Sequence, residues 1–118
     1  MAKSIDDFIV DLVAWNKGNG RNRPKVFWQD YPSPIPFSTP EVAAAVVRQG
    51  LAAEFVDREN LSGSGPFLIE SKEAHDLDKY EVFNLDHGVR EFREGYQDLN
   101  AAVREKIDRY IDDLRWFR

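Results

Sequence analysis

Apolar residues recur at spacings of three and four along the C-terminal part of the chain, from about Asp98 to Phe117. This period matches the 3.6-residue turn of an α-helix, so the segment predicts one long amphipathic helix. The residues on its apolar side are Leu99, Ala102, Val103, Ile107, Tyr110, Ile111, Leu114 and Phe117. This helix is the most clearly predicted element of the chain.

Two further helices are predicted nearer the N-terminus. The same spacing of apolar residues indicates a helix from Ser4 to Trp15, with Ser4 as its capping residue. Another is expected from Ser38 to about Gln49, because Ser38 and Glu41 have the spacing of a capping box. Gly50 suits the left-handed residue that commonly follows a helix.

Stretches rich in β-branched and aromatic residues predict four short strands. They are Lys25 to Tyr31, Leu51 to Val56, Phe67 to Ile69 and Glu81 to Leu85. We expect the second and third of these strands to form a hairpin with a long loop. Asp86-His87-Gly88 predicts a turn, and Val89 to Glu94 is expected to be a short helix.

These elements predict an α+β fold in which residues 1–118 form a single domain. We expect one layer of three to four mostly antiparallel strands, packed by two or three helices that include the long C-terminal helix. A chain of 118 residues is long enough to bury its own core. It contains no cysteine, which excludes disulfides, thiolate metal sites and a cysteine nucleophile.

Charge narrows the set of partners. The chain has 16 Lys and Arg residues against 21 Asp and Glu residues, a net charge of -5. Proteins that bind the phosphates of nucleic acids need a basic face, so the composition argues against nucleic acid as a partner.

One segment resembles part of a DNA-binding fold. The order of a helix, Gln49-Gly50-Leu51 and a predicted hairpin between Ser38 and Ile69 resembles the recognition helix and wing of winged-helix domains. The resemblance implies contacts to DNA from basic residues on both elements. Here the helix carries Arg48 as its only base and the hairpin is net acidic, so the sequence departs from that pattern.

The charges are unevenly distributed, and two segments are candidate binding sites. A loop near the N-terminus is basic without acids, and its four cations could hold an anionic group such as a phosphate. These residues are Lys17, Arg21, Arg23 and Lys25. The segment from Glu54 to Asp86 holds nine acids against three bases, which is typical of a face that docks a basic protein partner. The candidate residues for that partner are Asp57, Glu59, Asp76 and Asp78, with the aromatic residues Trp28 and Tyr31.

Catalytic chemistry is weakly represented. The two histidines, His75 and His87, each adjoin an aspartate, but neighbours in sequence do not by that fact form an oriented general base. The spacing of His75 and its acids lacks the length and glycine of a calcium loop. We therefore expect no catalytic residues, no metal and no cofactor.

The leading hypothesis is a small, non-catalytic protein-binding module, such as an adaptor, an inhibitor or an immunity-type protein, that uses its acidic surface. The alternative is a protein that binds a small molecule or nucleotide, with or without enzymatic activity, at an anion site in residues 17–25. Acids interrupt the N-terminal apolar residues, and no apolar run approaches the roughly 20 residues that span a bilayer, so we expect a cytoplasmic protein without membrane contact. Aromatic residues on more than one side of the last helix favour a homodimer, and they are Tyr110, Trp116 and Phe117.

Overall fold

The computed structural model describes residues 4–17, 31, 35–58, 65–71 and 78–116. These residues form an α+β fold, which confirms the predicted class. The helices are α1 (Ile5–Lys17), α2 (Thr39–Arg48) and the long α3 (Leu99–Trp116). The strands are β1 (Gly65–Glu70), β2 (Tyr80–Asp86) and β3 (Val89–Tyr96), and they form an antiparallel sheet in the order β1-β2-β3.

The ends of α2 agree with the signals in its sequence. Ser38 has extended backbone angles, and its hydroxyl donates to the Glu41 carboxylate at 3.0 Å. At the other end Gly50 takes a φ of +70°. The Gly50 N–H donates to the Val47 carbonyl and the Leu51 N–H to the Val46 carbonyl, each at 3.0 Å. This pair of bonds is a Schellman motif, which turns the chain sharply away from the helix axis.

The predicted strand from Leu51 to Val56 is wrong. The segment contains a 3₁₀-helix, Ala52–Phe55, and its two alanines have little β-propensity. The short helix buries Phe55 completely. The predicted hairpin is therefore also wrong, since β1 pairs along its length with β2, and the resemblance to a winged helix loses its wing.

The predicted helix from Val89 to Glu94 is wrong as well, since these residues belong to β3. The turn before them lies where the sequence predicts it, and its backbone angles explain the strand. His87 and Gly88 both have positive φ, at 49° and 79°, and Asp86 pairs with Val89. Two central residues with positive φ define the type I′ turn, whose twist leads directly into a second antiparallel strand.

The main core lies between one face of the sheet and the three helices. Leu68 of β1 and Val82 of β2 meet this core, and Phe67 and Phe83, their neighbours in sequence, point to the other face because side chains alternate along a strand. On that other face Phe67 and Phe83 stack at 6.0 Å between ring centroids and are buried together with Leu85. The sheet is therefore apolar on both sides of its β1-β2 half.

Two predictions concern other parts of the chain. The predicted strand from Lys25 to Tyr31 lies outside the described residues except for Tyr31. Within the described ranges, no helix is long and apolar enough to cross a membrane.

Candidate interaction site on the third strand

The third strand leaves most of its surface to solvent. Among the described residues its only strand neighbour is β2, and seven of its eight residues are exposed. Phe92 is 72% exposed and Val89 is 56% exposed. The other large hydrophobic side chains that are exposed in the described part of the chain are Val10 and Val47, on α1 and α2. Phe92 is the most exposed member of this set and its single aromatic.

Phe92 also lies at an irregularity of the backbone. Val82 pairs with Glu94 and Asn84 pairs with Glu91, so two residues of β3, Phe92 and Arg93, lie opposite Phe83 alone. This is a β-bulge, a device that redirects a side chain. Phe92 has a φ of +53°, which is unusual for a bulky residue and costs about 1–3 kcal/mol. The strand therefore holds its most exposed aromatic in a strained conformation.

Arg109 of α3 anchors this bulge from beneath. Its Nη2 donates to the Phe92 carbonyl at 2.9 Å, and its Nη1 donates to Asn84 Oδ1 at 3.3 Å. Its Nε donates to Glu105 Oε1 at 3.1 Å, and Glu94 Oε1 lies 3.6 Å from Nη2. The side chain of Arg109 is only 10% exposed. The rigid fork of a guanidinium suits this task, since it can bond several acceptors in one plane.

The bulge also determines which face of the sheet each charged side chain of β3 occupies. Arg93 forms two hydrogen bonds to Glu81, at 3.1 and 2.9 Å, and Arg90 lies over the Phe83 ring at 4.7 Å from its centroid. Both arginines thus lie on the sheet face away from α3, whereas Glu94 reaches Arg109 on the helix side. In a regular strand, residues three apart would point to opposite faces. The inserted residue brings the two arginines to the same face.

The β1 edge is closed. The N–H of Asp57 donates to the Leu68 carbonyl at 2.7 Å, and the Leu68 N–H donates to Asp57 Oδ2 at 2.9 Å. Pro66 has no N–H to offer on the same edge. Asp57 thereby occupies the middle of this edge and opposes the addition of another strand there.

Lys106 of α3 holds Asp57 at this edge through a contact in the protein interior. Its ammonium is fully buried and donates to Asp57 Oδ2 at 2.6 Å and to the Phe55 carbonyl at 2.8 Å. Desolvation lowers the pKa of Lys106 to about 8, although the Asp57 charge acts in the opposite direction. An ammonium with no exposed surface cannot reach a substrate, so this group is a structural one.

A second set of buried polar groups joins α1 to the same region. Tyr110 donates its hydroxyl hydrogen to Asn16 Oδ1 at 2.8 Å, and Asn16 Nδ2 donates to the Glu54 carbonyl at 3.0 Å. Burial raises the pKa of Tyr110 well above its usual range. These bonds satisfy the polar groups of both side chains and tie the 3₁₀-helix to α1 and α3.

Two open clefts flank these elements. One, of about 390 Å³, is lined by acids and bases together, including Glu54, Asp57, Lys17 and Arg58. Lys17, the described member of the predicted basic loop, lies 4.0 Å from Glu54 there, so an acid already faces it. The other, of about 570 Å³, lies between the start of α2 and α3. Within the described ranges no group of three or more His, Asp or Glu residues could hold a metal ion.

Two residues predicted to bind a partner point into the protein. The Asp57 side chain is 7% exposed and is used by Lys106 and β1. Tyr31 is 4% exposed, packs edge-on against Phe8 and donates its hydroxyl hydrogen to Asp11 at 2.6 Å. Neither side chain can serve an exposed docking face, because each is already engaged in the interior.

The third described member of that prediction has a different position. Asp78 is exposed, and its carboxylate lies against Gly95 of β3, where a Cβ atom would collide with it. Asp78 therefore stays a candidate and lies beside the exposed strand. The remaining predicted residues lie outside the described part of the chain, and they are Arg21, Arg23, Lys25, Trp28, Glu59 and Asp76.

Phe92 and Arg109 did not emerge from the sequence. The usable signal was the His87-Gly88 pair, which could have placed β3 and made Phe92 a strand residue. The positive φ of Phe92 could not be predicted from the sequence, since a phenylalanine rarely adopts that backbone conformation.

Comparison with known protein families, with curated proteins and with solved structures finds no match to this chain. The geometry around β3 is therefore the guide to function.

Proposed function

We propose that this chain is a non-catalytic protein-binding module that recognises its partner through the exposed side chains of β3. The surface, called here the β3 surface, consists of Arg90, Phe92 and Arg93. The observation that carries the proposal is Phe92, which is 72% exposed at a φ of +53°.

The energetics of Phe92 support this function. Burial of a phenylalanine side chain is worth about 1.5–3 kcal/mol, and the isolated chain forgoes most of that gain. The positive φ adds a cost of about 1–3 kcal/mol. A fold that bears both costs at a single residue is under-optimised there, which is typical of functional positions. A partner that buries the ring would recover the first of these costs.

The form of the edge indicates how the partner binds. Addition of a partner strand needs a regular row of backbone groups, and the bulge at Phe92 interrupts that row. Charged residues on either side, Glu91 and Arg93, oppose edge pairing further. Recognition through side chains fits this edge better, with Phe92 as the anchor that enters a pocket of the partner.

Site-specific photo-crosslinking in the organism that makes the protein tests the proposal. A photoreactive phenylalanine analogue would replace Phe92 in one variant and Val10, which is 62% exposed on α1, in the matched control. We expect a discrete adduct with a second protein from position 92 and none from position 10. No adduct from position 92, or the same adducts from both positions, would contradict the proposal.

A further inference from the structure

Arg90 defines what kind of partner the β3 surface fits. We infer that the partner presents an acidic side chain, Asp or Glu, to the Arg90 guanidinium beside the pocket that takes Phe92. This inference rests on the proposed function and adds the chemistry of the partner to it.

Arg90 is held in place by contacts that leave its donors available. Its guanidinium carbon lies 4.7 Å from the centroid of the Phe83 ring, which is fully buried and fixed by stacking on Phe67. Its Nη1 lies 3.7 Å from Glu81 Oε1, which is too long for a hydrogen bond. The side chain is 40% exposed. The guanidinium is thus oriented by an aromatic face and remains open to solvent.

Glu81 makes no hydrogen bond to Arg90, and its two bonds are to Arg93 instead. Both of its carboxylate oxygens accept from Arg93, at 3.1 and 2.9 Å. Among the described residues the Arg90 guanidinium donates no hydrogen bond, although such a group carries five N–H donors. A carboxylate from outside would gain the two parallel bonds that an arginine makes to a planar acid.

The local charge favours the same partner. On the face of the sheet away from α3, Glu81 is hydrogen-bonded to Arg93, and among the described residues it is also the nearest carboxylate to the exposed Arg90, at 3.7 Å. An acidic group is therefore attracted to the exposed Arg90 guanidinium, which helps to fix the orientation of a bound segment. The aromatic anchor and the cation lie two residues apart on one strand, so a single short segment of the partner can contact both.

Selection of random peptides displayed on phage against the immobilised full chain tests this inference. We expect the enriched peptides to share an Asp or Glu residue. Binding of these peptides should weaken about tenfold or more with Arg90→Gln, since a hydrogen-bonded ion pair is lost. Arg48→Gln is the matched control, because it removes the same charge from a side chain 65% exposed on α2, and it should leave the affinity unchanged.

Phe92→Ala separates this inference from the proposed function. Peptides that lose affinity with Phe92→Ala but not with Arg90→Gln, or that lack an acidic residue, would overturn the inference and leave the proposed function standing. Peptides that bind Phe92→Ala as well as the unchanged chain would contradict the proposed function. Failure to enrich any peptide would count against both.

Discussion

Each edge of the sheet is bonded to a cation from the same helix, but the two edges differ in how much of their surface is exposed. Lys106 and Arg109 lie one turn apart on α3, and each donates to a backbone carbonyl, that of Phe55 or that of Phe92. At the β1 edge near Lys106, both the N–H and the carbonyl of Leu68 are bonded to Asp57. The β3 edge above Arg109 is open, bulged and carries an exposed aromatic.

Under the proposed function, the difference separates a stabilising edge from a binding edge within one small fold. At the β1 edge, Asp57 bonds to both Lys106 and Leu68, and its side chain is almost fully buried. At the β3 edge, Arg109 uses comparable bonds to maintain a conformation of Phe92 that the isolated chain gains nothing from. Polar networks inside a protein can thus either cover a sheet edge or hold an exposed side chain in one conformation.

The largest expected effect lies at the closed edge. Asp57→Ala leaves the buried Lys106 ammonium without its carboxylate, which should lower the free energy of unfolding by about 3–5 kcal/mol. Urea denaturation measures this value. Asp78→Ala is the control, because that acid is exposed and its loss should change stability by less than about 0.5 kcal/mol. Equal losses in the two variants would show that the buried pair has no special role.

The open edge should respond to Arg109→Met. This change removes the bonds to the Phe92 carbonyl and to Asn84, and we expect a loss of about 2–3 kcal/mol, as for hydrogen bonds to charged groups. Amide hydrogen exchange should become faster in β3 while β1 keeps most of its protection. If exchange rises equally in both strands, Arg109 does not act on one edge alone.

Stability should also respond to pH through Lys106. Burial lowers the pKa of Lys106 from an ordinary value of 10.5 to about 8. Between pH 8 and 10 the unfolded chain therefore holds a proton that the native chain has released, so the free energy of unfolding should rise with pH. The slope from this group approaches about 1.4 kcal/mol per pH unit. Burial raises the pKa of Tyr96 as well as that of Tyr110. Above pH 10 these two groups reverse the trend, because the unfolded chain then loses protons that the native chain keeps.

Urea denaturation from about pH 7 to about pH 9.5 measures this effect, with Lys106→Met as the comparison. The variant lacks the titrating ammonium, so its curve should rise less steeply than that of the unchanged chain. Parallel curves would mean that Lys106 titrates at its ordinary value in the fold.

The smallest expected effect is the difference in stability between two variants of Phe92. Phe92→Gly removes an exposed side chain and permits the positive φ without strain, which outweighs the greater flexibility of glycine in the unfolded chain. We expect the free energy of unfolding to rise by about 0.5–1 kcal/mol relative to Phe92→Ala. A glycine variant less stable than the alanine variant would show that the bulge is unstrained.

The sequence predicts the helices well because their signals are local. The Ser38 cap, the Gly50 end and the apolar stripe of α3 each determine the element in which they lie. The burial of Lys106 could also be predicted from the sequence, since this lysine lies on the apolar side of the helix with Val103 and Tyr110.

The sheet and the site were harder to predict for physical reasons. Strand pairing depends on residues far apart in sequence, and the segment from Leu51 to Val56 has the apolar content of a strand without a strand to pair with. Bulges depend on tertiary contacts, here the bond from Arg109 to the Phe92 carbonyl. Acids such as Asp57 look alike in a sequence whether they face solvent or a buried ammonium.

The central claim is that Phe92 is kept exposed and strained for the sake of a partner. Calorimetric titration of the partner captured by crosslinking, with the unchanged chain and with Phe92→Gly, tests this claim most directly. We predict an affinity for Phe92→Gly at least about 30-fold weaker, the loss of about 2 kcal/mol typical of an anchor residue. An unchanged affinity would contradict the claim.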